Sequence, residues 1–582
     1  MNRLNRLLKA IIRVAIVALI FQICRTLFIA SNSYFFTDTS FTDTLGLMWG
    51  GLRYDLAIVL LINIPYILLS AFNRDNRVIT IVTKSLFIAV NLLAIIFIAI
   101  DILYFPYTLE RLTFGFFGYL ETQKNLDILL WRFMGDYWYA LFLFVGLIWL
   151  IVKGYNSIDK IRLSFTSKFK RAHTVYTSAI LVVVYTCCTT LLWIKDGKIL
   201  SINDAWTVAE TPFEVAATTN TPYNMLSSLI YNTESIHLEQ TKSITYKPDT
   251  TKQFSRKNVV VIILEGFTRE ASALLNPDLE NGKYKGYTPF LDSLMKQGMY
   301  FTNAYSNGRR SIDAVPAVLA SVPAIIRGDR DKSDNIITLL KRYNYTTQFF
   351  HGAHNGSMHF DRYCNTIGID EYHGLNEFNN IDEFDGTWGI WDEPFLQYMA
   401  QKQNITKEPF ISVAFNLSSH NPYVLPAKYN GKIKEGIDPI CKCIQYSDIA
   451  LKEYFKTVSE YAWYNNTVFV FTADHAIIPW HNEYKGSREA FAIPLFFFTP
   501  DGTIKGANGN VAQQIDIMPT LLNYLNYPAE FRSAGNNQLN KDSNHRAVTS
   551  IVRIPQIIDS KGDISWIKSD GQIVKADKQN RL

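Results

Sequence analysis

The sequence predicts two unlike halves: an N-terminal bundle of five membrane-spanning helices, then an α/β sandwich built on a mostly parallel sheet. Three observations predict this. Long apolar runs dominate before about residue 195. Short unbroken runs of β-branched and aromatic residues recur after about residue 245. Helical patterns alternate with those short runs. The overall content of 48% hydrophobic and 14% aromatic residues averages over the two halves and so hides the contrast.

A helix needs about 20 apolar residues to cross a bilayer. Stretches 9–31, 47–72, 78–104, 137–152 and 175–195 are predicted as spans on that measure. No small-residue cleavage site follows the first, and further spans come after it, so it reads as a retained helix rather than a signal peptide. Lys and Arg set the orientation. Arg3, Arg6, Lys9 and Arg13 precede the first span, Arg74 and Arg77 lie between the second and third, and a basic cluster from Lys153 to Arg171 lies between the fourth and fifth. These segments are expected in the cytoplasm, and everything after about residue 196 on the outer face. The net charge of +5 is then explained by the membrane, and no nucleic-acid partner is expected.

Ionisable groups inside spans are costly and often functional. Arg53, Asp55 and Asp101 are such groups, expected to pair with one another or to face lipid headgroups near the outer ends of their spans. Cys24, Cys187 and Cys188 read as small apolar residues of the spans. Cys364, Cys441 and Cys443 are an odd set in the exported half, so at least one is expected free or joined to another chain.

In the second half, "NVVVIIL" at 258–264 is a strand pattern buried on both faces, as in a parallel sheet. "TTQFFHG" at 346–352, "FISVAFNL" at 410–417, "TVFVFTAD" at 467–474 and "IPLFFFTP" at 493–500 repeat it. Helical patterns at 288–298, 336–344 and 444–461 fall between. Sheets of this kind hold ligands at the carboxyl ends of their strands. Glu265 follows the first run and Asp474–His475 the fourth. Ser311, in "NGRRSIDAVPAVLAS", is the hydroxyl of a loop that leads into a helix. Read locally, Ser311 is an N-cap followed by Asp313. Two carboxylates, an imidazole and a hydroxyl would also make a four-ligand site for a divalent ion such as zinc or manganese.

The order strand–Glu265, Gly-Arg-Arg-Ser turn, strand–Asp474–His475 resembles the alkaline-phosphatase and sulfatase-like superfamily. Within it, the chain resembles the membrane-bound lipoteichoic-acid-synthase-like phosphoglycerol transferases. The motifs that carry this are "NVVVIILEGF", "NGRRSIDAVPAVLASVP", "FHGAHNGSMHFD", "SSHNPY", "FTADHA" and "QQIDIMPTLLNYL", together with five spans before an exported domain. The apolar runs make 1–195 a transmembrane domain and 196–255 reads as a connector, while the resemblance implies a sulfatase-like catalytic domain at 256–530 and its C-terminal extension at 531–582. It implies that Glu265, Asp474 and His475 hold one divalent metal ion, manganese before zinc or magnesium, and that Ser311 is the nucleophile and a further ligand. Many relatives have Thr where this chain has Ser311, and the hydroxyl is the same. Sulfatases carry a C/S-x-P-x-R pattern, which Ile312, Asp313, Ala314 and Val315 do not make, so a sulfatase reading falls.

His420 is expected to hold the headgroup or exchange a proton. Arg309 and Arg310 are candidates for phosphate oxygens, with Arg310 the substrate-binding choice. His351, His354, Asn355 and His359 occupy the region where the lipoteichoic-acid enzymes carry a Trp and an Arg that contact glycerophosphate. This chain has no equivalent pair there, which leaves the headgroup open. The expected activity is transfer of phosphoglycerol from a phospholipid donor to an envelope glycan, glycolipid or polymer, by a multi-pass protein of the cytoplasmic (inner) membrane with its catalytic domain on the outer, periplasmic face. Phosphoethanolamine transfer is the alternative, although its enzymes are expected to carry a Cys-Gly-Thr loop and many disulfides. A hydrolase of the superfamily, with water as acceptor, is the other.

Overall fold

The computed structural model describes residues 3–37, 39–72, 76–121, 126–161, 171–195, 197–230, 241–325, 334–540, 545–568 and 570–576. Arg74, Arg162, Lys168 and Lys170, used above for orientation, lie outside them. The chain divides into two compact units, one of Met1–Phe117 with Leu130–Asn232 and one of Gly118–Leu129 with Thr233–Leu582.

Among the described residues of the first unit, five helices are long and apolar enough to cross a membrane: Leu4–Ser31, Phe41–Ile62, Arg77–Thr108, Trp138–Asp159 and Val175–Trp193. The expected single span at 47–72 begins earlier and breaks, with a separate helix at Ile64–Phe72. Pro65 is the cause, because it has no N–H for the carbonyl of Leu61. The N–H of Asn63 bonds that carbonyl instead. Asn63 and Asn91 then exchange a reciprocal pair of side-chain amide bonds, both at 3.0 Å, which joins the broken helix to Arg77–Thr108.

Short helices at Pro212–Thr218 and Thr221–Ile230 pack against Phe41–Ile62 and Arg77–Thr108. Their joining segment receives the buried charges of the helices. Arg25 pairs with Asp55 at 2.6 Å and donates to the carbonyls of Ala217, Thr218 and Thr219. Arg111 pairs with Asp101 at 2.7 Å and donates to the carbonyls of Ala216 and Thr219. Asn220 and Thr221 donate to Asp55 and Asp101 in turn. The expected pairing among Arg53, Asp55 and Asp101 does not occur: Arg53 donates to the carbonyls of Leu192 and Ile194. Arg53 and Asp55 are two positions apart on one helix and so point to different faces, while Arg25 reaches Asp55 from the first helix and Arg111 reaches Asp101 from the loop after Arg77–Thr108.

The second unit is an α/β sandwich on an eight-stranded sheet. Its strands, in chain order, are β1 (Asn258–Leu264), β2 (Met299–Tyr305), β3 (Thr346–His351), β4 (Glu371–His373), β5 (Phe410–Phe415), β6 (Thr467–Ala473), β7 (Leu495–Phe498) and β8 (Gly506–Gln513). They lie in the spatial order β8-β2-β7-β6-β1-β5-β3-β4. Only β7 runs antiparallel to its neighbours. β1 is central, and its side chains alternate between two apolar layers: Val259, Val261 and Ile263 enter one, Val260, Ile262 and Leu264 the other. That two-sided burial is why the strand reads as an unbroken apolar run. A four-stranded antiparallel sheet at 547–575 completes the unit.

Candidate metal and nucleophile site

Register brings the site together. Leu264 of β1 sits opposite Ala473 of β6, and Ile263 opposite Phe415 of β5. The next residues of the three strands, Glu265, Asp474 and Asn416, therefore leave the sheet side by side at its carboxyl edge. The backbone is pinned there. Asn416 Oδ1 accepts from the N–H of Glu265 at 2.7 Å, and Asp474 Oδ1 accepts from the N–H of Gly266 at 2.8 Å. Gly266 has φ +63, a left-handed conformation that glycine adopts without penalty.

Ser311 reaches the same edge from the helix Ser311–Ala320, whose N-cap is Arg310. The local N-cap reading of Ser311 is thereby corrected: it is the first helical residue, and its hydroxyl serves the sheet edge rather than its own helix. Ser311 Oγ donates to Glu265 Oε2 at 3.2 Å and lies 3.4 Å from His475 Nε2. The turn before it is tight, since a Cβ on Gly308 would come within 2.8 Å of the Asp313 Cβ.

Glu265, Asp474 and His475 offer ligand atoms that all lie within 4.8 Å of one another. His475 Nε2 is 3.2 Å from Asp474 Oδ2 and 3.7 Å from Glu265 Oε1. Both carboxylates are buried, and burial together with the charge of Asp474 drives the Glu265 carboxyl well above its ordinary range. Two features make this donor set fit a cation. Asp474 Oδ2 is buried and accepts no hydrogen bond, although Oδ1 accepts two. His475 Nδ1 faces the carbonyl of Ala476 at 3.0 Å, so it takes the proton as donor and leaves the Nε2 lone pair directed at the carboxylates. Glu265, Asp474, His475 and the Ser311 hydroxyl are thus the residues that would hold a divalent ion.

His420 follows β5. Its ring lies against Trp388, with centroids 3.9 Å apart, and its Nδ1 is 2.6 Å from Asn421 Oδ1. Burial lowers its pKa to about 4, so the ring is neutral near pH 7. Arg310 makes a two-pronged ion pair with Asp313 at 2.9 and 3.0 Å, one turn along its own helix. Arg309 is buried and donates to the carbonyls of Ala490 and Ile477.

The other expected residues stand apart from this cluster in their contacts. His351 ends β3 fully buried, packed on Phe360 and Phe415, with Nδ1 3.2 Å from the Tyr372 hydroxyl. Burial pushes its pKa down to about 3. Asn355 donates to Glu377, and His354 lies 5.3 Å from the Phe384 ring. His359 is half-buried with φ +55 at the start of the helix Phe360–Ile367. Cys364, Cys441 and Cys443 are buried free thiols.

Sequence reasoning missed four residues. Asn416 was visible as the next strand end after "FISVAF". Gln514, in "QQIDIMPT", donates to the carbonyls of Ala473 and Asp474 and accepts from the N–H of Asn307, so it ties the Asp-His turn to the nucleophile loop. Trp388 and Asp392 carried no signal, because loop and helix-start residues of those types are common.

An α/β sheet with two buried carboxylates, an imidazole and a hydroxyl at its carboxyl edge defines the class as an α/β sandwich with a candidate metal site. Residues 257–527 match the family model described as Sulfatase, and the chain carries a sulfatase-like domain there. It is similar to the lipoteichoic acid synthase-like protein YvgJ of Bacillus subtilis, with 27% identity over 313 residues, 48% of this chain and 49% of that one. The lipoteichoic acid synthase of Staphylococcus aureus is 26% identical over 321 residues, 49% of each chain. The chain thus spans about half the length of the curated relatives it matches. A crystal structure of a lipoteichoic acid synthase from Listeria monocytogenes overlaps 58% of this chain and 91% of its own, at 19% identity and a TM-score of 0.46.

Proposed function

We propose that this protein is a membrane-anchored, metal-dependent phosphotransferase that moves the phosphoglycerol headgroup of phosphatidylglycerol to an envelope glycan, glycolipid or polymer. The observation that carries the reading is the contact of Ser311 Oγ with both Glu265 and His475. The similarity to lipoteichoic acid synthases supports it. In this reading the five apolar helices lie in the cytoplasmic membrane and the sulfatase-like domain stands on its outer face.

When bound, a divalent ion, with manganese first in order, would lower the pKa of the Ser311 hydroxyl and offset charge on the phosphoryl oxygens. Ser311 Oγ forms a bond to the headgroup phosphorus, and the ester bond to diacylglycerol breaks with its electron pair on the departing oxygen. The proton that Ser311 gives up is matched by one taken by diacylglycerol. A phosphoseryl ester of glycerol remains. An acceptor hydroxyl then forms a bond to the same phosphorus, the Ser311 oxygen leaves, and Ser311 regains a proton. His420, neutral and beside the cluster, is the side chain that orients the headgroup or exchanges protons with the leaving and attacking oxygens. Arg310 uses Nε and Nη2 on Asp313, so Nη1 is the edge that would meet a phosphate oxygen.

Intact-mass measurement of the purified chain after exposure to phosphatidylglycerol tests this. Wild type should gain a glycerophosphate adduct and Ser311→Ala none. An adduct that persists in Ser311→Ala removes Ser311 from the mechanism. Adduct formation from phosphatidylethanolamine in place of phosphatidylglycerol would move the assignment to the phosphoethanolamine alternative, and release of free glycerophosphate to water would move it to a hydrolase.

A further inference from the structure

Asp392 begins the helix Asp392–Ile405 and is buried, far along the chain from every residue of the metal cluster. Its carboxylate nevertheless organises the loop that follows β5. Oδ1 accepts from the N–H groups of Leu417 and Ser418, both at 3.1 Å. Oδ2 accepts from Asn416 Nδ2 at 2.8 Å and from Ser447 Oγ at 2.6 Å. Ser418 Oγ accepts in turn from the N–H of Asp392 at 2.9 Å. One carboxylate thus fixes three consecutive residues, and each acceptor position it offers is used.

The loop from Asn416 to His420, so held, does two jobs at the sheet edge. Asn416, held by Asp392 through its amide nitrogen, uses its amide oxygen to hold the N–H of Glu265. Ser419, next in the loop, donates to the carbonyl of Glu265, so the peptide groups on both sides of that residue are clamped from this loop. His420 is the following residue, and its N–H is held by the carbonyl of Leu417 at 3.0 Å. The charge of Asp392 is also felt at Glu265.

We propose that Asp392 is a positioning residue for the metal site, which sets the affinity for the divalent ion by holding Glu265, through Asn416 and the 416–420 loop, in its binding orientation. This rests on the reading of Glu265, Asp474 and His475 as ligands. Partners that orient metal ligands commonly carry a tenfold or larger share of metal affinity. Asp392→Asn keeps the size but turns one acceptor into a donor that faces N–H or O–H groups.

The test is calorimetric titration of manganese chloride into the full chain in detergent, with melting temperature measured beside it. Asp392→Asn should bind manganese about tenfold more weakly than wild type. Asn416→Ala, which removes the link to Glu265 while Asp392 keeps its bonds to Leu417, Ser418 and Ser447, should show a similar loss and serves if Asp392→Asn does not fold. Asp448→Asn is the control for a merely structural role: Asp448 is equally buried and holds the N–H groups of Phe290 and Leu291, with no bond to the site loop. It should lower the melting temperature and leave manganese affinity unchanged. Wild-type affinity in Asp392→Asn or Asn416→Ala, when Glu265→Gln has lost it, overturns the proposal. Wild-type affinity in Glu265→Gln overturns the ligand assignment itself.

Discussion

Ser311 Oγ lies 3.2 Å from Glu265 Oε2, so the first residue of a helix and the residue after a central strand share one hydrogen bond across the sheet edge. The hydroxyl donates in that bond, which leaves its lone pairs free for a cation or an electrophile. Ser311→Thr should therefore keep adduct formation, because threonine supplies the same hydroxyl at the same backbone position. Ser311→Cys should not substitute for it with a hard divalent ion such as manganese, since thiolate selects softer metals. Mass spectrometry of both variants after lipid exposure checks the pair.

His420 is neutral near pH 7 because burial lowers its pKa to about 4. The pH dependence of kcat/KM should accordingly show no inflection from His420 between about pH 5 and 8. His420→Gln should lower kcat by roughly 10²–10⁴ if the ring exchanges a proton in the transition state. Wild-type rate in this variant would leave His420 outside the chemistry.

Glu270 is a buried carboxyl that accepts from the N–H groups of Trp480 and His481 and lies 2.8 Å from His481 Nδ1. Burial pushes it up from an ordinary 4.5 to about 8. The folded protein then keeps a proton that the unfolded chain releases, so this group favours folding fully below pH 4.5 and loses that contribution as pH rises through 8. Glu270→Gln should flatten the fall in melting temperature over this window. The difference from wild type should reach a few kcal/mol at most, on the order expected for a shift of this size.

Arg111 and Asp101 are both buried and paired at 2.7 Å. Removing one partner strands the other charge, and such losses run to about 3–5 kcal/mol. Asp101→Asn should therefore lower the melting temperature of the detergent-solubilised chain strongly, while Asp101→Leu combined with Arg111→Met should cost less than either single change. A loss in the double variant equal to the sum of the two single losses would mean the pair is not coupled.

The parallel sheet was legible because burial on both faces leaves an unbroken apolar run, as in β1, β5 and β6. β2, "MYFTNAY", escaped notice because Thr302 and Asn303 face partly outward and interrupt the pattern. β4 was too short to register, and β8 opens on glycine and asparagine rather than apolar residues. Ligand candidates at strand ends were readable by position alone. Partners such as Asp392 and Gln514 were not, because their role depends on which loop folds against them. The same limit hid the guanidinium partners of Asp55 and Asp101, which come from elsewhere in the chain.

The segment that completes those two aspartates, with Asn220 and Thr221, is synthesised after the fifth apolar helix has ended at Trp193. The helices of the first unit therefore cannot reach their final packing as they emerge one by one. A truncation just past Trp193 would leave Asp55 and Asp101 short of partners, and a stable fragment of this unit has to run to about Ile230.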